Sequence, residues 1–172
     1  MIYTTTCHSP IGPLLLAERG GKLIGLWIEG QPVSLSASEP TMEMKTPALL
    51  QAEAWLDRYF AGKQPPSSQL ALAPEGSDFQ QGVWEILCRI PYGQVMTYGQ
   101  IASEMAARMG KQRMSAQAVG GAVGRNPISI IIPCHRVVGA NKNLTGYAGG
   151  IDRKIALLTH EGIDPTTYHL PK

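Results

Sequence analysis

The sequence predicts an α/β protein of two parts, a strand-rich N-terminal domain that carries one helix and a mainly helical C-terminal domain. Three observations support this: short apolar segments alternate with turns over the first 30 residues, a Pro- and Gly-bearing stretch lies at 64–77, and apolar residues recur at helical spacing after it. With 172 residues, 44% of them hydrophobic, the chain can form two small packed domains. We place them at residues 1–73 and 74–172.

The N-terminal domain is predicted to begin with three strands at 4–7, 14–18 and 23–28, separated by turns that contain proline or glycine. The polar segment 29–46 carries Pro and several Ser residues, which predicts a loop. Apolar residues then follow helical spacing over 47–60, and a glycine two residues later ends this helix.

The C-terminal domain is predicted to contain at least four helices. The first spans about 79–89, the second begins at Tyr98 behind the capping residue Thr97, the third begins near Ser115, and a later one covers 153–159. The second and third, joined by a charged turn within a basic region, predict a helix-turn-helix. We therefore expect a winged-helix-like arrangement.

The net charge of +2 conceals an uneven distribution. Residues 1–78 carry five basic and eight acidic side chains, whereas residues 79–172 carry ten basic and five acidic ones. Residues 105–151 contain six basic side chains and no acidic one. Such a surface is typical of a protein that binds a polyanion, although a solvated basic face without a partner fits the same charges.

Cys134 is the candidate nucleophile. It lies in the segment PCHRV at 133–137, after the apolar run 128–132, which predicts a buried strand, and before the glycine-rich stretch 145–150, whose backbone can approach a flat ligand. A free thiol is mostly protonated near neutral pH, and only the thiolate attacks carbon efficiently. The surroundings of Cys134 must therefore raise its thiolate fraction.

Two neighbours of Cys134 can do so, because His135 supplies a base and Arg136 a positive charge. Successive side chains of a strand point to opposite faces, so we expect a turn after Pro133, or a bridging water, to connect the thiol with the imidazole. Glu161 is the candidate acid that orients the imidazole. Together these residues predict a Cys-His-Glu relay.

The other two cysteines, Cys7 and Cys88, are interpreted as packing residues, because free cysteines are commonly buried. No second Cys/His pair lies at ligand spacing from Cys7 and His8, so we expect no metal and no cofactor. The sequence shows no apolar membrane span and no signal peptide, and its cysteines suggest a reducing compartment. A soluble, cytoplasmic protein that does not use a membrane is expected.

Four sequence blocks in this order resemble the O6-alkylguanine-DNA alkyltransferases, also called methylated-DNA–protein-cysteine methyltransferases. The blocks are Arg125-Asn126-Pro127, Pro133-Cys134-His135-Arg136-Val137, Tyr147-Ala148-Gly149-Gly150 and Leu157-Leu158-Thr159-His160-Glu161-Gly162. The resemblance runs from about 79 to 162, with a weaker match at 9–14. It implies a ribonuclease H-like N-terminal domain.

The resemblance also implies a repair reaction on double-stranded DNA by a monomer. Cys134 would take the alkyl group from O6 of a flipped guanine, with O4-alkylthymine as a further candidate substrate, in one irreversible displacement. His135, acting through a water, and Glu161 resemble the thiol-activating relay of the family. Asn126 resembles the residue that ties the DNA-reading helix to the active-site loop.

The remaining site residues implied by the resemblance fall into two groups. Tyr98 resembles the tyrosine that helps to rotate the nucleotide and protonates the leaving guanine, and the guanine pocket would be lined by Val137, Tyr147, Ala148 and Gly149. The residues expected to contact DNA are Gln117, Ala118, Gly120, Arg125, Arg113 and Arg136.

One position departs from the family pattern. Gln117 stands where the family usually has an arginine that fills the gap left by the extruded base. Glutamine can hydrogen-bond an orphaned cytosine but lacks the charge and stacking plane of a guanidinium. Arg113, in a loop longer than expected, is the alternative candidate for this role. The small residues that follow Gln117 fit a close approach to DNA and fit tight helix packing equally well.

Two other classes of protein share part of this pattern. A non-repairing protein that binds damaged DNA would lack the acceptor thiol, so Cys134 counts against it. A cysteine hydrolase could use the same relay, but it would need an oxyanion hole and multiple turnovers.

Overall fold

The computed structural model describes residues 1–170, which form two compact units. The first comprises Met1–Glu75 together with Pro127–Ile131, and the second comprises Gly76–Asn126 and the chain from Ile132 onwards. The division after Glu75 falls two residues beyond the boundary expected from the sequence. No helix within residues 1–170 has the length and apolar character needed to cross a membrane.

A four-stranded sheet with the order β3-β2-β1-β4 forms the centre of the first unit. The strands are β1 (Ile2–Cys7), β2 (Leu14–Arg19), β3 (Lys22–Ile28) and β4 (Thr41–Glu43). The first three form an antiparallel meander, and β4 pairs in parallel with β1. The sequence predicted three strands here, but neither their pairing nor β4, because β4 is a short, exposed edge strand without apolar alternation.

One helix, α1 (Pro47–Phe60), accompanies this sheet, with the bounds that the sequence predicted. The Thr46 side chain caps it by accepting a hydrogen bond from the backbone N–H of Leu49. The apolar face of α1 is buried, through Leu49, Ala52, Trp55, Leu56 and Tyr59.

The segment 127–131 lies along β3 but is not a strand. The N–H of Leu26 donates to the carbonyl of Pro127 at 2.8 Å, and the N–H of Ser129 donates to the carbonyl of Leu26 at 3.0 Å. Ile130 then adopts a positive φ of 70°, which turns the chain. The prediction of a strand over 128–132 is therefore wrong: the run is buried as expected, but only Ile128 makes a ladder bridge.

The second unit is mainly helical, as predicted. Its helices are α2 (Asp78–Cys88), α3 (Tyr98–Arg108), α4 (Ala116–Gly124) and α5 (Ile151–His160), and its short parallel strands are β5 (Met96–Thr97) and β6 (Val137–Val138). Short 3₁₀ turns occur in the two units at Ser67–Gln69, Cys134–Arg136, Ala140–Lys142 and Pro165–Thr167.

Capping and one buried tryptophan organise the helices of this unit. Ser77 and Thr97 each form a capping box at the start of α2 and α3. Trp84 of α2 is 2% exposed, and its indole N–H donates to the carbonyl of Ala122 in α4 at 2.9 Å. Helices α3 and α4 pack together as the predicted helix-turn-helix, with the exposed loop 109–115 between them.

Candidate active site around Cys134

Cys134 begins the 3₁₀ turn Cys134–Arg136, so the predicted turn after Pro133 is confirmed. The thiol is buried, with the residue 5% exposed. Burial raises its pKa, while hydrogen bonds from the side chains of Asn126 and Tyr147 and the charge of Lys154 act in the opposite direction. The thiolate is therefore disfavoured by desolvation but already has partners that stabilise it.

The turn brings His135 to Glu161. His135 Nε2 lies 2.6 Å from Glu161 Oε2, and both side chains are fully buried. Burial would raise the pKa of Glu161, but hydrogen bonds from His135 and Arg136 and the charge of Arg136 hold it well below its usual range. Burial lowers the pKa of His135, so the imidazole is neutral near pH 7.

These protonation states fix the tautomer of His135. A carboxylate only accepts hydrogen bonds, so Nε2 carries the proton and donates to Glu161. The other ring nitrogen, Nδ1, is then an unprotonated base. It is buried and has no hydrogen-bond partner within residues 1–170. The site therefore contains one oriented proton acceptor, next in sequence to the candidate nucleophile.

Arg136, which the resemblance predicted to contact DNA, belongs to this buried cluster. Its Nε and terminal nitrogen donate to the two oxygens of Glu161 at 2.7 and 3.1 Å, and its other terminal nitrogen donates to the carbonyl of Ile90 at 2.6 Å. The guanidinium also lies 5.7 Å from the ring centre of Tyr92. Arg136 is 8% exposed, and each of its three guanidinium nitrogens donates a hydrogen bond within the unit, so its charge neutralises Glu161.

The segment that follows α2 also holds Glu161 in place. The backbone N–H of Gly93 donates to Oε1 of Glu161 at 3.2 Å, and the hydroxyl of Tyr92 donates to the carbonyl of His160 at 3.2 Å. Glu161 thus accepts hydrogen bonds from one imidazole, one guanidinium and one backbone amide. Such saturation explains why the carboxylate remains ionised although it is buried.

Asn126 and Tyr98 are two further candidate site residues of this unit. Asn126, 4% exposed, follows α4 and donates from Nδ2 to the carbonyl of Ile132 at 2.8 Å. The hydroxyl of Tyr98, at the start of α3, is 2.8 Å from Oγ1 of Thr145. Burial raises the pKa of Tyr98, the Thr145 hydrogen bond lowers it, and the charge of Cys134 raises it, which places the phenol within electrostatic range of the thiol.

The expected pocket residues differ in exposure. Val137 is fully buried, Gly149 is buried, Tyr147 is half-buried and Ala148 is exposed. The Tyr147 side chain lowers the pKa of the Cys134 thiol, so it acts on the nucleophile. Its carbonyl accepts from the N–H of Gly150 at 2.8 Å, which closes the tight turn of the glycine-rich loop.

The sequence analysis missed Lys154. This residue is fully buried on α5, and its Nζ donates to the carbonyl of Val137 at 2.6 Å. Its sequence signal was its position three and four residues before the buried Leu157 and Leu158, which places a lysine on the apolar face of a helix.

The residues expected to meet DNA lie around α4. Gln117, Ala118, Arg113 and Arg125 are exposed, whereas Gly120 is half-buried. A Cβ on Gly120 would lie 3.8 Å from the ring of Tyr98, which is ordinary van der Waals contact. Packing within residues 1–170 therefore does not require a glycine here.

Arg113 lines an open groove of about 770 Å³ between α3 and the loop 109–115. Lys111, Ser103 and Ser115 contribute polar groups to the same groove. The groove gives Arg113 an exposed, basic setting next to the N-terminus of α4, in contrast to the buried setting of Arg136.

Cys7 differs from Cys134 in its chemistry. Burial, followed by the charges of Glu53 and Asp57, raises the pKa of the Cys7 thiol to about 11, so it carries almost no thiolate near pH 7. Within residues 1–170, no group of three or more His, Cys, Asp or Glu residues is placed to hold a metal ion.

Comparison with known proteins extends over both units. Residues 2–74 match the family model for the ribonuclease-like domain of 6-O-methylguanine DNA methyltransferase, and residues 78–163 match the family model for its DNA binding domain. The predicted fold class, with a ribonuclease-like N-terminal and a helical C-terminal domain, is thereby confirmed.

Relatives and solved structures agree with this match. The methylated-DNA–protein-cysteine methyltransferase of Mycobacterium bovis is 46% identical over 164 residues, which are 94% of this chain and 93% of the relative. That of Methanosarcina barkeri is 46% identical over 93% of this chain and 97% of its own length. The crystal structure of Mycobacterium tuberculosis OGT in complex with DNA superposes with a TM-score of 0.81 at 42% identity, covering 96% of this chain and 94% of that one. The chain belongs to the 6-O-methylguanine DNA methyltransferase family.

Proposed function

We propose that this protein repairs alkylated double-stranded DNA by transferring the alkyl group from O6 of guanine to the sulfur of Cys134. The observation that carries the proposal is the neutral His135, which Glu161 orients through Nε2 and whose Nδ1 has no hydrogen-bond partner among the described residues 1–170. This is a thiol-activating arrangement within a chain whose relatives are named for this reaction.

The reaction begins with proton transfer. The thiol proton of Cys134 passes through a water to Nδ1 of His135, and the resulting imidazolium is stabilised by the Glu161 carboxylate. Hydrogen bonds from Asn126 and Tyr147 favour the thiolate that is left. Arg136 keeps Glu161 ionised and in place, so the carboxylate orients the base without taking its proton.

Transfer then forms the sulfur–carbon bond and breaks the bond between that carbon and O6. The electron pair of the broken bond remains on guanine, which takes up one proton, and we assign the donation of this proton to the Tyr98 hydroxyl. The product is a neutral thioether. Because a thioether is a poor leaving group and no step returns the thiol, each chain reacts once.

The remaining site residues are needed to bring the alkylated guanine to Cys134. O6 lies within the stack of the duplex, so the nucleotide must be flipped into a pocket, at a cost of a few kcal/mol. We assign the pocket to Val137, Tyr147, Ala148 and Gly149, and the duplex contacts to α4 with Gln117, Ala118 and Gly120. Arg113 and Arg125 are exposed and basic, as phosphate contacts require. We propose that one monomer is sufficient for each lesion.

Intact-protein mass spectrometry after incubation with methylated duplex DNA tests the proposal. We expect one added methyl group per chain, located on Cys134, followed by no further reaction. Cys134→Ser should lose transfer and keep DNA binding, because a hydroxyl is nearly isosteric but a poorer nucleophile. Cys7→Ser is the matched control and should transfer normally. Retained transfer in Cys134→Ser would remove Cys134 as the acceptor, and repeated turnover on an acyl substrate would favour a cysteine hydrolase.

A further inference from the structure

Lys154 is a buried cation to which the proposed transfer chemistry assigns no role. Its side chain is fully buried, and within residues 1–170 its ammonium makes one hydrogen bond, 2.6 Å from Nζ to the carbonyl of Val137. An ammonium has three donors. Within residues 1–170, the ion pairs of the structure do not join Lys154 to a carboxylate. A buried charge without an anion is costly, so its retention here needs a reason.

The single hydrogen bond connects Lys154 to the reactive turn. The N–H of Val137 donates to the carbonyl of Cys134 and closes the 3₁₀ turn, while the carbonyl of Val137 accepts from Lys154. Helix α5 is thereby joined to the nucleophile through one intervening residue. Because Val137 is itself fully buried, the contact holds the end of the turn in one position.

The charges around the thiol indicate which anion Lys154 faces. The positive charge of Lys154 favours the thiolate of Cys134, and the thiolate in turn favours the ammonium. Lys154 also opposes protonation of His135, which keeps the imidazole a base. The other titratable group that interacts with Cys134 from a neighbouring helix is the phenol of Tyr98, together with the hydroxyl of Tyr147 from the glycine-rich loop.

We propose that Lys154 is a positioning residue for alkyl transfer, whose ammonium fixes the reactive turn through the Val137 carbonyl and stabilises the Cys134 thiolate before it attacks. The inference rests on the proposed function, since it concerns the same thiol. The thiol proton leaves to His135, and the thiolate and ammonium form a buried ion pair. When the sulfur–carbon bond forms, the electron pair of the broken bond passes to guanine, and the anion at sulfur disappears.

The pair implies a particular pH dependence. The reactive form needs Cys134 deprotonated and Lys154 protonated, so the rate rises with pH as the thiol ionises and falls as the ammonium is lost. Burial lowers the pKa of Lys154 to about 8, against the opposing effect of Cys134. Loss of the ammonium therefore gives the profile an alkaline limb, and the apparent pKa values of both limbs belong to the coupled pair.

The test is the single-turnover rate with the free base O6-benzylguanine across pH, which involves no DNA binding. Lys154→Met should slow transfer roughly tenfold at neutral pH, equivalent to about one pKa unit, and move the acid limb upward. Lys154→Arg keeps the charge at all accessible pH values and should lose the alkaline limb. Lys63→Met, at an exposed lysine of the first unit, is the matched control and should retain the wild-type profile.

A second measurement separates this role from a structural one. The ultraviolet absorbance of the thiolate, titrated in a Cys7→Ser, Cys88→Ser background, should show a higher thiol pKa in Lys154→Met than in wild type. A wild-type profile and thiol titration in a folded Lys154→Met protein would overturn the inference. If that variant does not fold, an alkaline limb that persists in Lys154→Arg would overturn it. A wild-type protein that fails to transfer from both O6-benzylguanine and methylated duplex would instead contradict the proposed function.

Discussion

His135 and Glu161 are separated by 26 positions in the chain, yet His135 Nε2 and Glu161 Oε2 lie 2.6 Å apart in a fully buried pair. The pair exists because the turn Cys134–Arg136 sends two consecutive side chains to one carboxylate at the end of α5. Arg136 neutralises the carboxylate, and His135 is left as a neutral base. The charge balance of the relay therefore depends on Arg136 as much as on Glu161.

Glu161→Gln should slow transfer more than it weakens DNA binding. The amide cannot stabilise an imidazolium at His135, and it leaves the buried Arg136 charge unpaired, a loss of about 3–5 kcal/mol in the free energy of unfolding. Single-turnover rates and binding titrations on the same methylated duplex check the first point, and denaturant unfolding checks the second. An unchanged rate would show that the relay is wrongly assigned.

The same variant makes a prediction for pH and stability. The pKa of Glu161 is depressed in the folded protein, so its contribution is fully present above the unfolded value of about 4.3 and is lost as pH falls below it. Wild-type stability should therefore decrease below about pH 4, and Glu161→Gln should show a shallower decrease there. Parallel acid profiles for the two proteins would contradict this assignment.

Arg136 should not contribute to the salt dependence of DNA binding. Phosphate contacts release counterions, so removing a true contact lowers the slope of log affinity against log salt by about 0.9 for duplex DNA. Arg125→Ala and Arg113→Ala should show this reduction, because both residues are exposed. Arg136→Lys keeps a buried cation near Glu161 and should leave the slope unchanged. A reduced slope for Arg136→Lys would restore Arg136 to the DNA interface.

The contrast between Arg136 and Arg125 shows what a sequence can predict about charge. A run without acidic residues indicates a basic region, but not which of its members face solvent. Arg136 is removed from that surface by Glu161, a partner 25 positions away that sequence spacing does not reveal. Lys154 was missed for a related reason, since its partner is the backbone carbonyl of Val137, which every residue possesses.

The starts of helices were predictable because residues close together in the chain determine them. Thr97 caps its helix as the sequence predicted, and Thr46 and Ser77 cap the helices that begin at Pro47 and Asp78. The apolar run at 128–132 was predicted as a strand because burial and β-branched residues are common to strands and to buried turns. The positive φ of Ile130 distinguishes the turn from a strand, and apolar patterning does not reveal it.

Gln117 provides a test of base extrusion that is independent of the chemistry. If its exposed side chain fills the space left by the flipped nucleotide, Gln117→Arg should increase the rate on methylated duplex by adding charge and a stacking plane. Gln117→Gly should decrease that rate, because the flipped state loses its support.

The rate with O6-benzylguanine is the control for both variants at position 117, since the free base needs no flipping. It should change little in either protein. Equal effects on duplex and free base would mean that the residue acts through folding or the pocket. No effect on duplex repair in either variant would direct the same test to Arg113, which lines the neighbouring groove.

Tyr98→Phe separates proton donation from base rotation. The substitution keeps the ring at the start of α3 but removes the hydroxyl that lies 2.8 Å from Oγ1 of Thr145, so we expect at most about 1.5 kcal/mol loss of stability. If the hydroxyl protonates the leaving guanine, transfer from O6-benzylguanine and from duplex DNA should both slow, by about 10²-fold or more.

Thr145→Val is the matched variant, because it removes the hydrogen-bond partner and keeps the phenol. It should slow both reactions much less. A Tyr98→Phe protein that is impaired on duplex alone would assign the hydroxyl to rotation of the nucleotide, and the proton would then have to come from another donor.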